Sequence, residues 1–121
     1  MRSKWIEHNG KRIFYQDFSN LFYNGSAVKK ELDEVQEIVL AEPEGSVLVL
    51  SNFSNTEITS ELMPVLNEAS RATKSRVLKT ATVGVTGVKR ALGDLLSRMT
   101  GQAIMYFNNE LEAKEWLTQD H

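Results

Sequence analysis

The sequence predicts an α/β domain, with a β-hairpin at its start followed by strands alternating with helices around a largely parallel sheet. Three observations carry that reading. Asn9-Gly10 joins two runs rich in β-formers, "KWIEH" and "KRIFYQD", and this dipeptide tolerates the positive φ angles of a tight type I′ turn. The run "SVLVLSNF" is apolar without alternation, the pattern of a strand covered on both faces. Between such runs apolar residues recur at helical spacing, and the resulting order β-β-α-β-α-β-α-β-α requires right-handed crossovers with helices laid over the sheet.

Taken in order, the hairpin strands fall near 4–8 and 11–17, and the loop "SNLFYNGS" follows, carrying Phe22 and Tyr23 and bounded by Asn24-Gly25. From Ser26, read as an N-cap, Val28, Leu32, Val35 and Val39 paint one apolar stripe on a helix of about four turns; Pro43 and Gly45 stop it. "SVLVLSNF" is then the central strand. The second helix carries Leu62, Val65, Leu66 and Ala69 on one face, and the next strand lies within residues 76–85. "GVKRALGDLLSRMTG" reads as a third helix with Val88, Ala91, Leu92, Leu95, Leu96 and Met99 facing inward and Gly101 just past its end. "QAIMYF" is a further strand. "NNELEAKEWLTQ" closes the chain as a helix capped by Asn108 or Asn109, with Ala113, Trp116 and Leu117 inward.

A chain of 121 residues, 41% hydrophobic and 25% charged, is sized for one domain with one real core, so residues 1–121 are read as a single domain. No apolar run reaches about 18 residues, and "MRSKWIEHNG" has no signal-peptide character; a soluble, cytoplasmic protein is expected. The absence of cysteine excludes disulfides, thiol nucleophiles and thiolate metal sites. The net charge of −2 hides an asymmetry: residues 71–100 hold Arg71, Lys74, Arg76, Lys79, Lys89, Arg90 and Arg98 against Asp94 alone. That block can steer an anionic ligand or an acidic partner, and it also suits ordinary solvated faces. The acidic balance of the whole argues against nucleic acid as a partner.

The stretch "SNFSNTEITSELMPV", residues 51–65, leaves the central strand through a run of hydroxyls and amides. Ser54, Asn55, Thr56, Thr59 and Ser60 suit a turn that caps the next helix. With Thr59 as N-cap, Ile58 and Met63 would form a hydrophobic staple and Glu61 would sit in the first turn, although Pro64 allows the regular helix to begin nearer 63. Hydroxyls at a helix start beyond the carboxyl end of a central strand also suit a phosphoryl group or an anion.

The order of elements, with "GSVLVLSNFSNTEITSELMPVLNEA" in the middle and "TATVGVTGVKRALGDLLSRMTGQAIMYFNNELEAKEWL" to the end, resembles the SpoIIAA-like set of STAS domains, the group related to bacterial anti-sigma-factor antagonists. The resemblance implies a mixed sheet of four to five strands covered mainly on one face by about four helices. It further implies a non-enzymatic regulatory, protein-interaction module. In such antagonists the strand-to-helix loop carries an Asp-Ser-Ser-Gly motif whose serine is phosphorylated by a partner kinase; aligned without gaps it falls on Ile58, Thr59, Ser60 and Glu61. The acidic residue and the glycine are absent and only hydroxyl character remains. Ser60, then Thr59, are the positions the resemblance carries over for phosphorylation, with Ser54, Asn55 and Thr56 in the same docking loop. Because the related set is also grouped with lipid-binding Sec14-like domains, the alternative is a carrier or sensor of a small apolar or anionic ligand.

Other constellations are weaker. "GVTGVK", residues 84–89, lacks the spacing of a phosphate loop, though Thr86 could cap a helix and, with Lys89 and Arg90, form an anion-friendly end. Phe22 and Tyr23 could form an exposed apolar lip, while Trp5, Phe14, Tyr15 and Phe18 should be core. His8 and His121 have no ligand partner at metal spacing, Glu31, Glu34 and Glu37 suit a solvated helix face, and no nucleophile–histidine–acid set can be assembled. The expectation is therefore no metal, no cofactor and no catalysis, with a protein partner such as a kinase or regulatory factor docking on the 51–60 loop. A homodimer through a sheet edge or helix is a further option.

Overall fold

A computed structural model describes residues 1–119, apart from the side chains of Val88 and Leu96; the reading of His121 lies outside the described residues. The hairpin strands β1 (Lys4–His8) and β2 (Lys11–Asp17) precede helix α1 (Gly25–Leu40) and strand β3 (Val47–Asn52). Helix α2 (Met63–Thr73), strand β4 (Val77–Val83), helix α3 (Val88–Thr100), strand β5 (Ile104–Phe107) and helix α4 (Glu110–Leu117) complete the order. One five-stranded sheet runs β1-β2-β3-β4-β5, antiparallel between β1 and β2 and parallel elsewhere. Every strand thus points its carboxyl end the same way from β2 onward, and the loops that follow β2, β3 and β4 gather at one end.

Alternation along the strands sends side chains to two cores. Phe14, Val47 and Val49 face α1 and α2, where Val28, Leu32, Val35, Val39, Leu66 and Ala69 cover them, with Leu92 of α3 packed alongside. Ile13, Leu48, Leu50, Ala81 and Val83 face the other way onto Ala113 and Leu117 of α4. Three helices therefore cover one face and one short helix the other. No helix of the described residues is long and apolar enough to cross a membrane.

Local chemistry departs from the sequence reading at five points. Asn24, not Ser26, caps α1, its side chain accepting from the Ala27 N–H at 3.1 Å; asparagine caps at least as well as serine and stands where the loop turns. Helix α2 begins at Met63 with Leu62 as an uncapped N-cap. Thr59 plays no capping part there, because residues 56–58 are held extended against the preceding loop and Pro64 fits the second helical position, where its missing N–H costs nothing. Thr86 does not cap α3; Gly87 does, at φ 58° and ψ −128°, a conformation that needs glycine. On α3, Ala91 is exposed, as are Leu95 at 41% and Met99 at 47%, while Leu92 packs against the core; the expected inward positions of Val88 and Leu96 lie outside the described side chains. The sheet ends at β5, so nothing lies beyond it to cover the outer half of that stripe.

The fifth departure is Glu31, which is buried rather than solvated. Its carboxylate accepts from the Ser3 N–H at 2.8 Å and the Arg2 N–H at 3.1 Å, pinning the chain start to α1. Glu34 is half-buried and Glu37 exposed. Burial alone would raise the Glu31 carboxyl, but the hydrogen bonds from Ser3 and from the Arg2 N–H outweigh it and hold the group below its ordinary value. A depressed folded-state value means stability that is present above the unfolded value of 4.5 and lost as pH falls through the folded one. Glu31→Ala is expected to cost about 1–3 kcal/mol at pH 7 in urea denaturation, and the gap between variant and wild type should close as pH drops below 4.5.

Candidate functional site

Three loops meet at the carboxyl ends of β2, β3 and β4, and they are bonded to one another. Beyond β2, the Asn20 N–H donates to the Ser54 carbonyl and the Phe22 N–H to the Asn55 carbonyl, while the Glu57 N–H returns to the Phe22 carbonyl. These bonds make a short parallel bridge between Phe22 and Thr56. Thr56 has no exposed surface; its hydroxyl donates to the Phe18 carbonyl and accepts from the Leu21 N–H. The loop after β4 joins through Gly84, at φ 79°, where a β-carbon would collide with the backbone and hydroxyl of Ser54. Lys89 closes the ring by donating to the Phe53 and Thr56 carbonyls at 3.5 and 3.2 Å.

This knitting sorts the residues that the sequence singled out. Phe22 and Tyr23 stand out at 62% and 78% exposure, and the backbone bridge fixes them beside the 53–62 loop. Tyr23, Thr59, Ser60, Glu57 and Glu61 line one shallow surface depression with Lys29 of α1. Thr59 and Ser60 have no hydrogen bond from either hydroxyl within the described residues, and Ser60 is exposed. Ser54 packs under Gly84, its N–H donating to the Asn52 side chain at 2.9 Å. Asn55, at φ 58°, bonds Asn20 through its amide at 2.8 Å. Thr56 is a buried clamp and presents nothing to solvent.

The expected anion-friendly end does not assemble. Thr86 is exposed and bonds nothing in the described residues, Lys89 is spent on carbonyls, and the Arg90 guanidinium lies over the Tyr106 ring, 4.9 Å from its centre. Other members of the basic block act the same way. Arg71 donates to the Met99 carbonyl, Arg76 to the Glu42 carbonyl, and Lys79 to the Trp116 and Gln119 carbonyls. The cations brace chain ends and turns, a use for which long side chains with several donors are suited.

Two polar arrangements were not foreseen from the sequence. At the top of β2 and β3, on the α4 face, the Tyr15 hydroxyl donates to Glu110 at 2.5 Å and accepts from the Asn52 amide at 2.8 Å. Asn52 thereby ties the Ser54 turn to the first turn of α4. On the opposite face, Gln16, Ser51, Thr82 and Tyr106 occupy adjacent register positions on four strands, a polar row under the helices. The hint in the sequence was "KTATV", which puts Thr80 and Thr82 together on one face of a strand. Among the described residues no three histidine, aspartate or glutamate side chains gather as a metal group. His8 instead meets Glu115 at 2.9 Å, holding the hairpin to α4.

Comparison of the chain with known protein families, curated proteins and solved structures finds no match.

Two predictions follow from this geometry. Thr56→Val should cost about 1–3 kcal/mol, because it strands a buried carbonyl and a buried N–H. Thr59→Ala and Ser60→Ala, removing unbonded surface hydroxyls, should stay within about 0.5 kcal/mol of wild type in the same urea melts. The second concerns the phenols. Burial, with help from Glu110, pushes Tyr15 up to about 12. Burial first and the Asp94 charge second push Tyr106 to about 12, with Arg90 opposing; Asp94 stands near without closing a hydrogen bond of normal geometry, since the Tyr106 hydroxyl is unpartnered. Above pH 10 the unfolded chain sheds protons that these two phenols retain in the folded state, so stability is full below that value and declines as pH rises toward 12. Absorbance titration of the phenolate band and denaturation across the same range check it; ionisation of all three tyrosines in one step near the free-phenol value would contradict it.

Proposed function

We propose that this protein is a non-enzymatic regulatory module that docks a protein partner on the surface made by Phe22, Tyr23 and the 51–60 loop, of the kind found in SpoIIAA-like STAS domains. The observation that carries the proposal is the backbone bridge between Phe22 and Thr56. It turns two loops distant in sequence into one rigid platform, with two exposed aromatic rings beside two unbonded hydroxyls. Large aromatic side chains offered without ordering cost are the residues on which binding energy concentrates.

The mixed sheet, with its leading hairpin and three helices on one face, supports the resemblance to that group. Regulation would act through Ser60 or Thr59. Both lie at the depression that also holds Glu57 and Glu61, and its one lysine, Lys29, is already paired with Asp33, so a phosphate added there would place new negative charge beside two carboxylates and weaken an interface formed over them.

The test is a pull-down from the source cell with the wild-type chain, a Tyr23→Ala/Ser60→Ala variant and Leu78→Ala, which alters an exposed side chain on β4 lining a different depression. A partner held by wild type and by Leu78→Ala, and roughly 30-fold weaker (about 2 kcal/mol) on the double variant, is the expected result. Equal retention by all three would remove docking from this surface. Ser60→Glu should release the same partner.

A further inference from the structure

Away from the docking surface, a partly open cavity of about 110 Å³ lies between the sheet and helices α1 and α2. Next to it, under α3, is another of about 50 Å³. Phe53, Leu66, Thr82 and Ile104 wall both, so the two spaces adjoin and are divided by these side chains. An apolar cavity of about 150 Å³ accepts a benzene-sized ring.

The lining has two characters. Phe53, Leu66 and Ile104 offer an apolar body. The polar row crosses the same floor: Ser51 donates to Gln16 at 3.2 Å, Thr80 to Gln102 at 3.4 Å, and Thr82, although buried, makes no side-chain hydrogen bond within the described residues. At the far end the Tyr106 hydroxyl is buried and unpartnered. On the same face the register row Phe14, Val49, Thr80 and Ile104, apolar but for Thr80, lies below this one, and the stacked pair Phe18–Phe53 lies above. Of the polar row only the Tyr106 hydroxyl is both fully buried and without a partner among the described residues, while the unbonded Thr82 hydroxyl borders both cavities; polar groups that forgo hydrogen bonds inside a fold lose their hydration without return, and here they give the row the form of a recognition edge. Among the described residues no charged side chain lines either cavity, which disfavours an ionised guest on desolvation grounds.

We propose that this interior space binds a small neutral molecule with a flat apolar body and one hydrogen-bonding edge, the size of a phenol, its polar edge meeting Thr82. The full-length ¹⁵N-labelled chain is titrated with phenol, with toluene as the isostere lacking the hydroxyl, and with benzoate as the charged analogue, following backbone amide shifts. Phenol should shift the amides of Ser51, Ala69 and Thr82 saturably, and benzoate should not. Thr82→Val should weaken phenol at least fivefold and leave toluene within twofold; Ala69→Leu, which fills the space from α2, should weaken both at least tenfold. No saturable shift with phenol, benzoate binding as tightly as phenol, or phenol affinity unchanged in Thr82→Val overturns the proposal. The contrast between the three probes on wild type decides the matter even where Ala69→Leu fails to fold. Because the Tyr23→Ala/Ser60→Ala variant leaves the cavity intact, it should bind phenol as wild type does, which separates failure of this site from failure of the docking surface.

Discussion

Everything in this fold hangs on the double burial of β3. Val49 through Asn52 are paired on both sides, and Val47 through Ser51 are buried, so the middle of this strand is shielded from water in both backbone and side chains. Strands β2 and β4 are set by pairing to it, and both cores are built from its alternating residues: Val47 and Val49 toward α1 and α2, Leu48 and Leu50 toward α4. The same constraint dictates where polarity can begin. Only beyond Leu50 does the chain reach an end where backbone groups find partners in loops, and the hydroxyls and amides of residues 51–60 start there.

Those loops hold their shape by hydrogen bonds rather than by apolar packing. Thr56 satisfies two backbone groups of the 18–21 turn from a position with no exposed surface, and Lys89 satisfies two more from the α3 side. A loop held by such bonds leaves its side chains free to project, which is why Phe22 and Tyr23 remain exposed on a segment whose backbone is fully engaged. The segment from Thr56 to Ile58 is drawn into the same bonding, and this is what delays α2 to Met63.

The sequence was legible where one physical signal dominates. Asn9-Gly10 has no competing use, and both hairpin strands lie at 4–8 and 11–17 as read. The unalternating run at 46–53 can only be central. Capping was less legible because several candidates stand within three residues of each other: Asn24 against Ser26, and Thr59 against an uncapped start. Tertiary pairing decides among them, and no local propensity reports it. The apolar stripe of α3 misled for a related reason. Its period is helical, but a stripe does not say how much cover it will receive, and an edge strand leaves Leu95 and Met99 exposed. Of the site, the 51–60 loop and the aromatic pair were visible as composition. Their union was not, since it rests on backbone bonds between residues some 35 positions apart. The link of Tyr15 to Asn52 and Glu110 was hidden in the same way.

The polar row poses the sharper physical problem. A row of valines at Gln16, Ser51 and Thr82 would bury well against α1 and α2, and large apolar groups would close the space now left beneath the helices. A buried hydroxyl without a partner, such as that of Tyr106, forgoes about 1–3 kcal/mol, a large share of the roughly 5–15 kcal/mol that separates folded from unfolded domains. Exposed surface can hide such a loss in solvent, but an interior floor cannot. Polar side chains placed in register on four neighbouring strands of such a floor, one of them buried without a partner, are departures from packing rules of the kind where function is expected to outweigh stability. The constraint that makes β3 the centre of the fold also makes its inner face the most sheltered surface available to a guest.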